Sequence, residues 1–201
     1  MGSIVIDGQY DECRKKLKET LSAKRYNHSI GVSNTAACLA MVCGYNVRKA
    51  HLAGLLHDCA KGAKDTELLD VCKNAGLELS EVEICNPDLL HAKAGKFVAR
   101  DRFGIDDEEI LDSIFYHTTG RCDMTLLEKI IFVADYIEPN RSGLPGLDMI
   151  RRLAFEDIDA AVALICRNTL DYLKDSSKSI DPNTLETYRF YSKSLSGHEN
   201  I

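Results

Sequence analysis

Six side chains have the types and the order for metal chemistry: His28, His57, Asp58, His91, His117 and Asp135. Imidazole nitrogen suits zinc, iron, copper or nickel, and a carboxylate can bind one metal or bridge two. His57-Asp58 sits near the end of the run His51-Leu-Ala-Gly-Leu-Leu-His-Asp-Cys-Ala-Lys61. Alone, such a pair reads as a hydrogen-bonded couple, since neighbours on a helix lie about 100° apart and converge only on something at the helix edge. Asp135, in Ile130-Ile-Phe-Val-Ala-Asp-Tyr-Ile137, is harder to read as structural. A bare carboxylate in so apolar a helix costs several kcal/mol, so it has to be paired or coordinated. The groups fall on different predicted helices, and metal sites in helical bundles are built from inward side chains on facing helices.

The helices that must position them follow from apolar spacing, over a chain of 201 residues with 45% hydrophobic and 28% charged content. That length suits one domain with a sizeable core. Periodicity predicts helices over 10–22, 25–43, 47–59 (capped by Asn46 and ended by Gly62), 65–75 and 80–85. Pro87 opens the next, to about Phe103. Asp106 with Glu109 predicts a capping box for a helix reaching His117, and Thr125 with Glu128 another for a very apolar helix to Ile137, stopped by Pro139. After a Gly/Pro/Ser loop at 140–146, helices are expected over 147–153, 156–173 and 184–193, with a polar break at 176–182. Strand alternation is absent, so the expected class is all-α: a single domain over 1–201, with a metal-binding core at about 20–142 and a C-terminal helical layer at about 147–193 packed on it.

Composition narrows the partners. A formal charge of −6 disfavours nucleic acid polymers and anionic membranes, yet leaves room for a local basic pocket that takes a phosphorylated small molecule. No apolar run approaches the ~20 residues that span a bilayer, and Met1-Gly-Ser-Ile-Val-Ile-Asp-Gly carries no secretory pattern. The eight cysteines are scattered without a Cys-x-x-Cys pair, which predicts free thiols in a reducing, cytoplasmic setting. Cys59 reads as a packing residue, His51 as facing away (about 240° round the helix from His57), and His198 as part of a polar tail.

Arg25-Tyr-Asn-His28, Leu56-His-Asp-Cys-Ala-Lys61, His91, Tyr116-His-Thr-Thr-Gly120 and Phe132-Val-Ala-Asp-Tyr-Ile-Glu-Pro-Asn-Arg141 resemble the HD-domain metal-dependent phosphohydrolases. More narrowly they resemble the bacterial symmetrical diadenosine tetraphosphate hydrolases of the YqeK type, in the right order and over about residues 10–190. The resemblance implies an all-helical HD-domain bundle with a binuclear centre, commonly iron, although the ligand set accepts other divalent metals. Carried onto this chain, His28, His57, Asp58 and Asp135 would hold one metal. Asp58 would bridge to a second, completed by His91 and His117.

The implied reaction is attack of a metal-held hydroxide on an inner phosphorus of a dinucleoside polyphosphate, giving two ADP from diadenosine tetraphosphate. Asp58 and Lys61 are then the expected catalytic residues, Lys61 reaching a phosphate or the leaving group. Arg25, Thr118, Thr119, Arg121 and Arg141 are expected phosphate contacts, and Tyr136 a wall for a nucleobase. Two other readings keep the scaffold: hydrolysis of another nucleotide, or a nucleotide-sensing module without turnover. A homodimer is left open.

Overall fold

The computed structural model describes residues 2–176 and 179–197, and among them no strand occurs. Eleven α-helices follow one another: α1 Gly2–Thr20, α2 Ala23–Val42, α3 Val47–Leu56, α4 Asp65–Asn74, α5 Glu81–Cys85, α6 Leu90–Phe103, α7 Glu108–Phe115, α8 Leu126–Ile137, α9 Leu147–Glu156, α10 Ile158–Asp175 and α11 Pro182–Tyr191. Short 3-10 turns at Pro87–Leu89 and Ser192–Gly197 precede α6 and follow α11. His198 lies outside the described residues. None of the described helices is long and apolar enough to cross a membrane.

Local chemistry sets most starts. The Ser22 hydroxyl accepts from the Arg25 N–H, Asn46 from Lys49 and Thr125 from Glu128, whose own side chain returns to the Thr125 N–H. These are the side-chain caps that satisfy first-turn N–H groups. Beyond α1, which begins at Gly2 rather than at about Tyr10, two boundaries differ from expectation. Asp107, not Asp106, caps α7, its carboxylate accepting from the Glu109 and Ile110 N–H groups. The helix expected over 156–173 starts two residues later, and α9 runs on to Glu156, because Asp157 leaves the helical conformation and caps α10 through the Asp159 and Ala160 N–H groups.

The third difference matters most for the site. α3 ends at Leu56 rather than running on to Cys59, and the chain turns tightly, with the Cys59 N–H bonded to the Leu56 carbonyl and the Lys61 N–H to the Asp58 carbonyl, each at 2.9 Å. Released from helical spacing, adjacent His57 and Asp58 both turn inward.

One continuous core runs from Cys13 on α1 to Tyr191 on α11. α8 lies at its centre, packed by α2, α3, α7 and α10, with α9 and α11 against α10. Leu127, Ile130, Ile131 and Val133 of α8 are fully buried, each worth about 1.5–3 kcal/mol, which offsets the cost of the carboxylates farther along the same helix. α2 and α3 approach closely where Gly54 faces α2: a Cβ there would meet the Ser33 Cα at 2.9 Å and the Val32 carbonyl oxygen at 3.1 Å. Backbone cannot yield as a side-chain tip does. Gly54→Ala is therefore expected to destabilise the protein by about 1–3 kcal/mol in urea denaturation, and an unchanged midpoint would contradict this packing.

Candidate metal centre

The bundle brings all six expected metal-site residues to one end. His28 comes from the second turn of α2, His57 and Asp58 from the turn after α3, His91 from the first turn of α6, His117 from just past α7, and Asp135 from the last turn of α8. The four imidazoles form a row in the order His28, His57, His117, His91, with successive ring centroids 5.1, 5.0 and 5.1 Å apart. Asp58 is 3% exposed and addresses the whole row. Its Oδ2 lies 3.9 Å from His28 Nε2 and 3.4 Å from His57 Nε2, while its Oδ1 lies 3.3 Å from His91 Nε2 and 3.6 Å from His117 Nε2. Asp135 Oδ1 closes the first half, 2.9 Å from His28 Nε2 and 3.8 Å from His57 Nε2.

The orientation of each ring has a local cause. His57 Nδ1 donates to the Gly54 carbonyl at 2.8 Å, His117 Nδ1 to the Ile114 carbonyl at 2.7 Å and His91 Nδ1 to the Asp88 carbonyl at 2.5 Å. Each acceptor lies three residues back, at a helix end or 3-10 turn where carbonyls lack an intrahelical partner. His28 sits inside α2, so its Nδ1 donates instead to Glu138 Oε1 at 3.1 Å. With every Nδ1 committed, the Nε2 atoms face one another and the carboxylates. Nε2 to Nε2 is 3.3 Å between His28 and His57 and 3.2 Å between His91 and His117.

Such an assembly of lone pairs and carboxylates repels itself unless positive charge sits within it. Burial lowers the His28 pKa, but Asp135 and Glu138 outweigh that and raise it. Burial and the adjacent His117 lower the His91 pKa to about 4. Burial opposes ionisation of Asp58 and Asp135, yet the imidazoles, together with Arg141 beside Asp135, hold both well below the ordinary carboxylate range. Imidazole nitrogens and carboxylate oxygens within 4.8 Å of one another, in three overlapping groups, form a donor set that fits a cation.

The family profile for the HD domain matches residues 25–140, which span all six groups. The chain belongs to the HD-domain family. HD relatives align over nearly its full length. A Bacillus subtilis protein named symmetrical bis(5'-nucleosyl)-tetraphosphatase is 39% identical over 90% of this chain and 96% of its own. One of the same name from Halalkalibacterium halodurans is 41% identical over 86% and 91%. A Clostridium acetobutylicum crystal structure, described as a "predicted HD superfamily hydrolase involved in NAD metabolism", superposes with a TM-score of 0.88 at 42% identity, covering 92% of this chain and 97% of that one.

The HD centre carries a cationic rim, only partly as the sequence suggested. Arg25 Nη1 bonds Asp58 Oδ2 at 2.6 Å, and Arg141 bonds Asp135 through Nη2 to Oδ1 at 2.7 Å and Nε to the carbonyl at 3.0 Å. Lys61 Nζ rests 2.8 Å from Asp88 Oδ2, beside His91. The Thr118 hydroxyl lies 3.3 and 3.2 Å from the Nε2 atoms of His91 and His117. Three expected contacts are not brought to the cluster. Arg121 is held by buried Glu128 at 3.0 Å and stacks over Tyr116. Thr119 donates to the Gly120 carbonyl and accepts from Thr187 through its own. The Tyr136 hydroxyl accepts from Asn168 at 3.4 Å. As expected, His51 faces elsewhere, stacked on Tyr10 at 4.2 Å. The Cys59 thiol, its pKa raised by burial, donates to the Gly95 carbonyl at 3.4 Å.

Sequence reasoning missed the support around His28. Besides His28, Glu138 accepts at Oε2 from the Asn140 N–H at 2.8 Å and side-chain amide at 2.9 Å. Arg151 secures that segment by donating to the carbonyls of Ile137, Glu138 and Arg141. Gly31 makes room, since a Cβ there would lie 2.3 Å from Glu138 Oε2. Loss of such a carboxylate–histidine contact typically weakens metal binding by about 10–100-fold. Glu138→Ala should do so in metal titrations, Gly31→Ala should reproduce the loss by displacing the carboxylate, and Glu138→Gln should restore part of it through its amide oxygen. Unaltered affinity in the first two would refute the role.

Proposed function

We propose that this protein is a cytoplasmic, metal-dependent hydrolase that cleaves diadenosine tetraphosphate symmetrically, adding one water across the central P–O–P bridge and releasing two ADP. The observation that carries it is the complete set of four imidazoles and two carboxylates, with Asp58 directing one oxygen to each half of the row. Two relatives that align over nearly the whole chain are named for that reaction. A nucleotide sensor without turnover would not need all six.

In this reading His28, His57, Asp58 and Asp135 would hold one ion, and His91 and His117, with Asp58 shared, would hold a second, with iron the preferred metal. Bound metal ions there supply Lewis-acid chemistry, making water nucleophilic at neutral pH and neutralising charge on phosphoryl oxygens. The chain does the positioning. Arg25 and Arg141 each fix a ligand carboxylate with part of the guanidinium and line the adjoining cavity, where they face phosphoryl oxygens. The Thr118 hydroxyl, set over His91 and His117, orients the attacked phosphate. Lys61, held by Asp88 at the His91 side, neutralises charge on the departing phosphate. ADP is a good leaving group, so Lys61 need only offer its charge. Thr119, Arg121 and Tyr136 have no part in it, because their polar groups are engaged in the scaffold.

Product analysis tests the reading directly: metal-loaded protein and diadenosine tetraphosphate should give ADP alone. AMP with ATP, or no turnover, would refute it. Asp58→Ala should lose bound metal and fall at least about 100-fold in kcat/KM, about 2.7 kcal/mol of transition-state stabilisation. Metal content by mass spectrometry, on the same sample as the kinetics, separates loss of metal from loss of fold.

A further inference from the structure

The cations around the cluster are almost all paired. Arg25 has Asp58, Arg141 has Asp135, Lys61 has Asp88 and Arg121 has Glu128. Lys24 is the exception: it is exposed and has no partner among the described residues. It lines a cavity of about 430 Å³ that opens outward from His28 and Glu138, between the start of α2 and the turn at 138–141. Asn27, one turn along α2, lines the same cavity, and its amide likewise has no partner among the described residues. Residues three and four apart share a helix face, so Lys24, Asn27 and His28 form a track from solvent to the centre.

The lining decides what the cavity can hold. It includes Lys24, Arg25, Asn27, Asn140 and Arg141, and no Phe, Tyr or aliphatic side chain. Sites for flat apolar groups such as nucleobases are mostly hydrophobic, with a few placed polar groups. The polar groups of this one are dominated by cations and amide or hydroxyl groups, with a single acidic residue, Glu138, whose oxygens are occupied by His28 and Asn140. A phosphate chain is the matching ligand.

We propose that this cavity is a polyphosphate subsite, in which Lys24 and Asn27 hold the arm of the substrate that runs outward from the bond being cleaved. The assignment rests on the reading above that the substrate is a dinucleoside polyphosphate. It adds that recognition on this side is of the phosphate chain, with the base beyond the α2 rim. Lys24 contributes a charge that no carboxylate among the described residues already neutralises, and Asn27 a donor that shifts with neither pH nor salt.

The test uses metal-loaded, full-length protein in wild-type, Lys24→Gln, Lys24→Arg and Asn27→Ala forms, with Lys73→Gln on exposed α4 as a control of equal charge. Binding of inorganic tripolyphosphate is measured by calorimetry, and KM and kcat are measured with diadenosine tetraphosphate. Lys24→Gln should weaken tripolyphosphate binding about tenfold, equivalent to about 1.4 kcal/mol, and make it less salt-dependent. Most of the kinetic loss should fall on KM, with metal content unchanged. Lys24→Arg should recover most of the affinity, and Asn27→Ala should lose about threefold. Tripolyphosphate binding that is the same in Lys24→Gln as in wild type, or equally weakened in Lys73→Gln, overturns the subsite. If wild type binds tripolyphosphate in a Lys24-dependent way but does not convert diadenosine tetraphosphate to ADP, the hydrolase reading fails and the subsite stands.

Discussion

The molecule is built around a repulsion. Four imidazole Nε2 atoms and two carboxylates are pressed together in a buried pocket, where each would rather face a donor or water. The fold sustains this by fixing every ring from behind. At three of the four histidines the device is the same: an imidazole N–H capping a carbonyl three residues earlier. Helix ends leave such carbonyls without partners. One hydrogen bond therefore completes the end of a helix or turn and aims an imidazole at once, which explains why three of the four imidazoles sit at helix boundaries.

His28 shows what happens where that device is missing. It lies within α2, whose carbonyls are taken by the helix itself. Its anchor has to come from another element, and Glu138 supplies it from just beyond α8. A buried carboxylate requires its own partners, hence Asn140; the turn that carries both requires fixing, hence Arg151 on three carbonyls. Gly31 then follows from space alone. A single ligand inside a helix thus recruits a chain of support from α2, α8 and α9, whereas the three boundary histidines need only a neighbouring carbonyl.

The same contrast separates what was legible in the sequence from what was not. The helices were, because apolar spacing of 3.6 residues reports a buried face wherever it occurs, and so was the gathering of the six candidate metal residues, through their types and order and, for Asp135, a carboxylate out of place in an apolar helix. The early end of α3 was not: Asp58-Cys-Ala-Lys61 contains no breaker, and the helix stops through a side-chain cap on Gly54 and the inward pull on Asp58. Asp106 and Asp107 are equally good caps by type, and the choice falls to burial of Ile105 and Ile110 on either side. Glu138 was quoted in the motif but its role was invisible, since its partner lies 110 residues away. Arg121 failed in the opposite direction. A loop arginine next to a ligand looks like a phosphate contact until the buried charge of Glu128, two residues into α8, claims it.

That pairing bears on how an acidic protein handles a polyanion. The chain carries a formal −6, and the proposed substrate is strongly negative. At physiological salt, charges more than about 8 Å away are largely screened, so the net charge matters less than what lies within a few ångströms of the phosphates. There, Arg25 and Arg141 are matched by Asp58 and Asp135, themselves candidate metal ligands, and Lys61 by Asp88. Their pairing preorganises the site, so donors need not rearrange when a phosphate arrives, which is how electrostatic stabilisation favours a transition state over a ground state. It also leaves little surplus charge for attraction. On the proposed reading, metal ions and Lys24, which has no partner among the described residues, are the sources of attraction, and discrimination falls on phosphate number and geometry rather than on long-range steering.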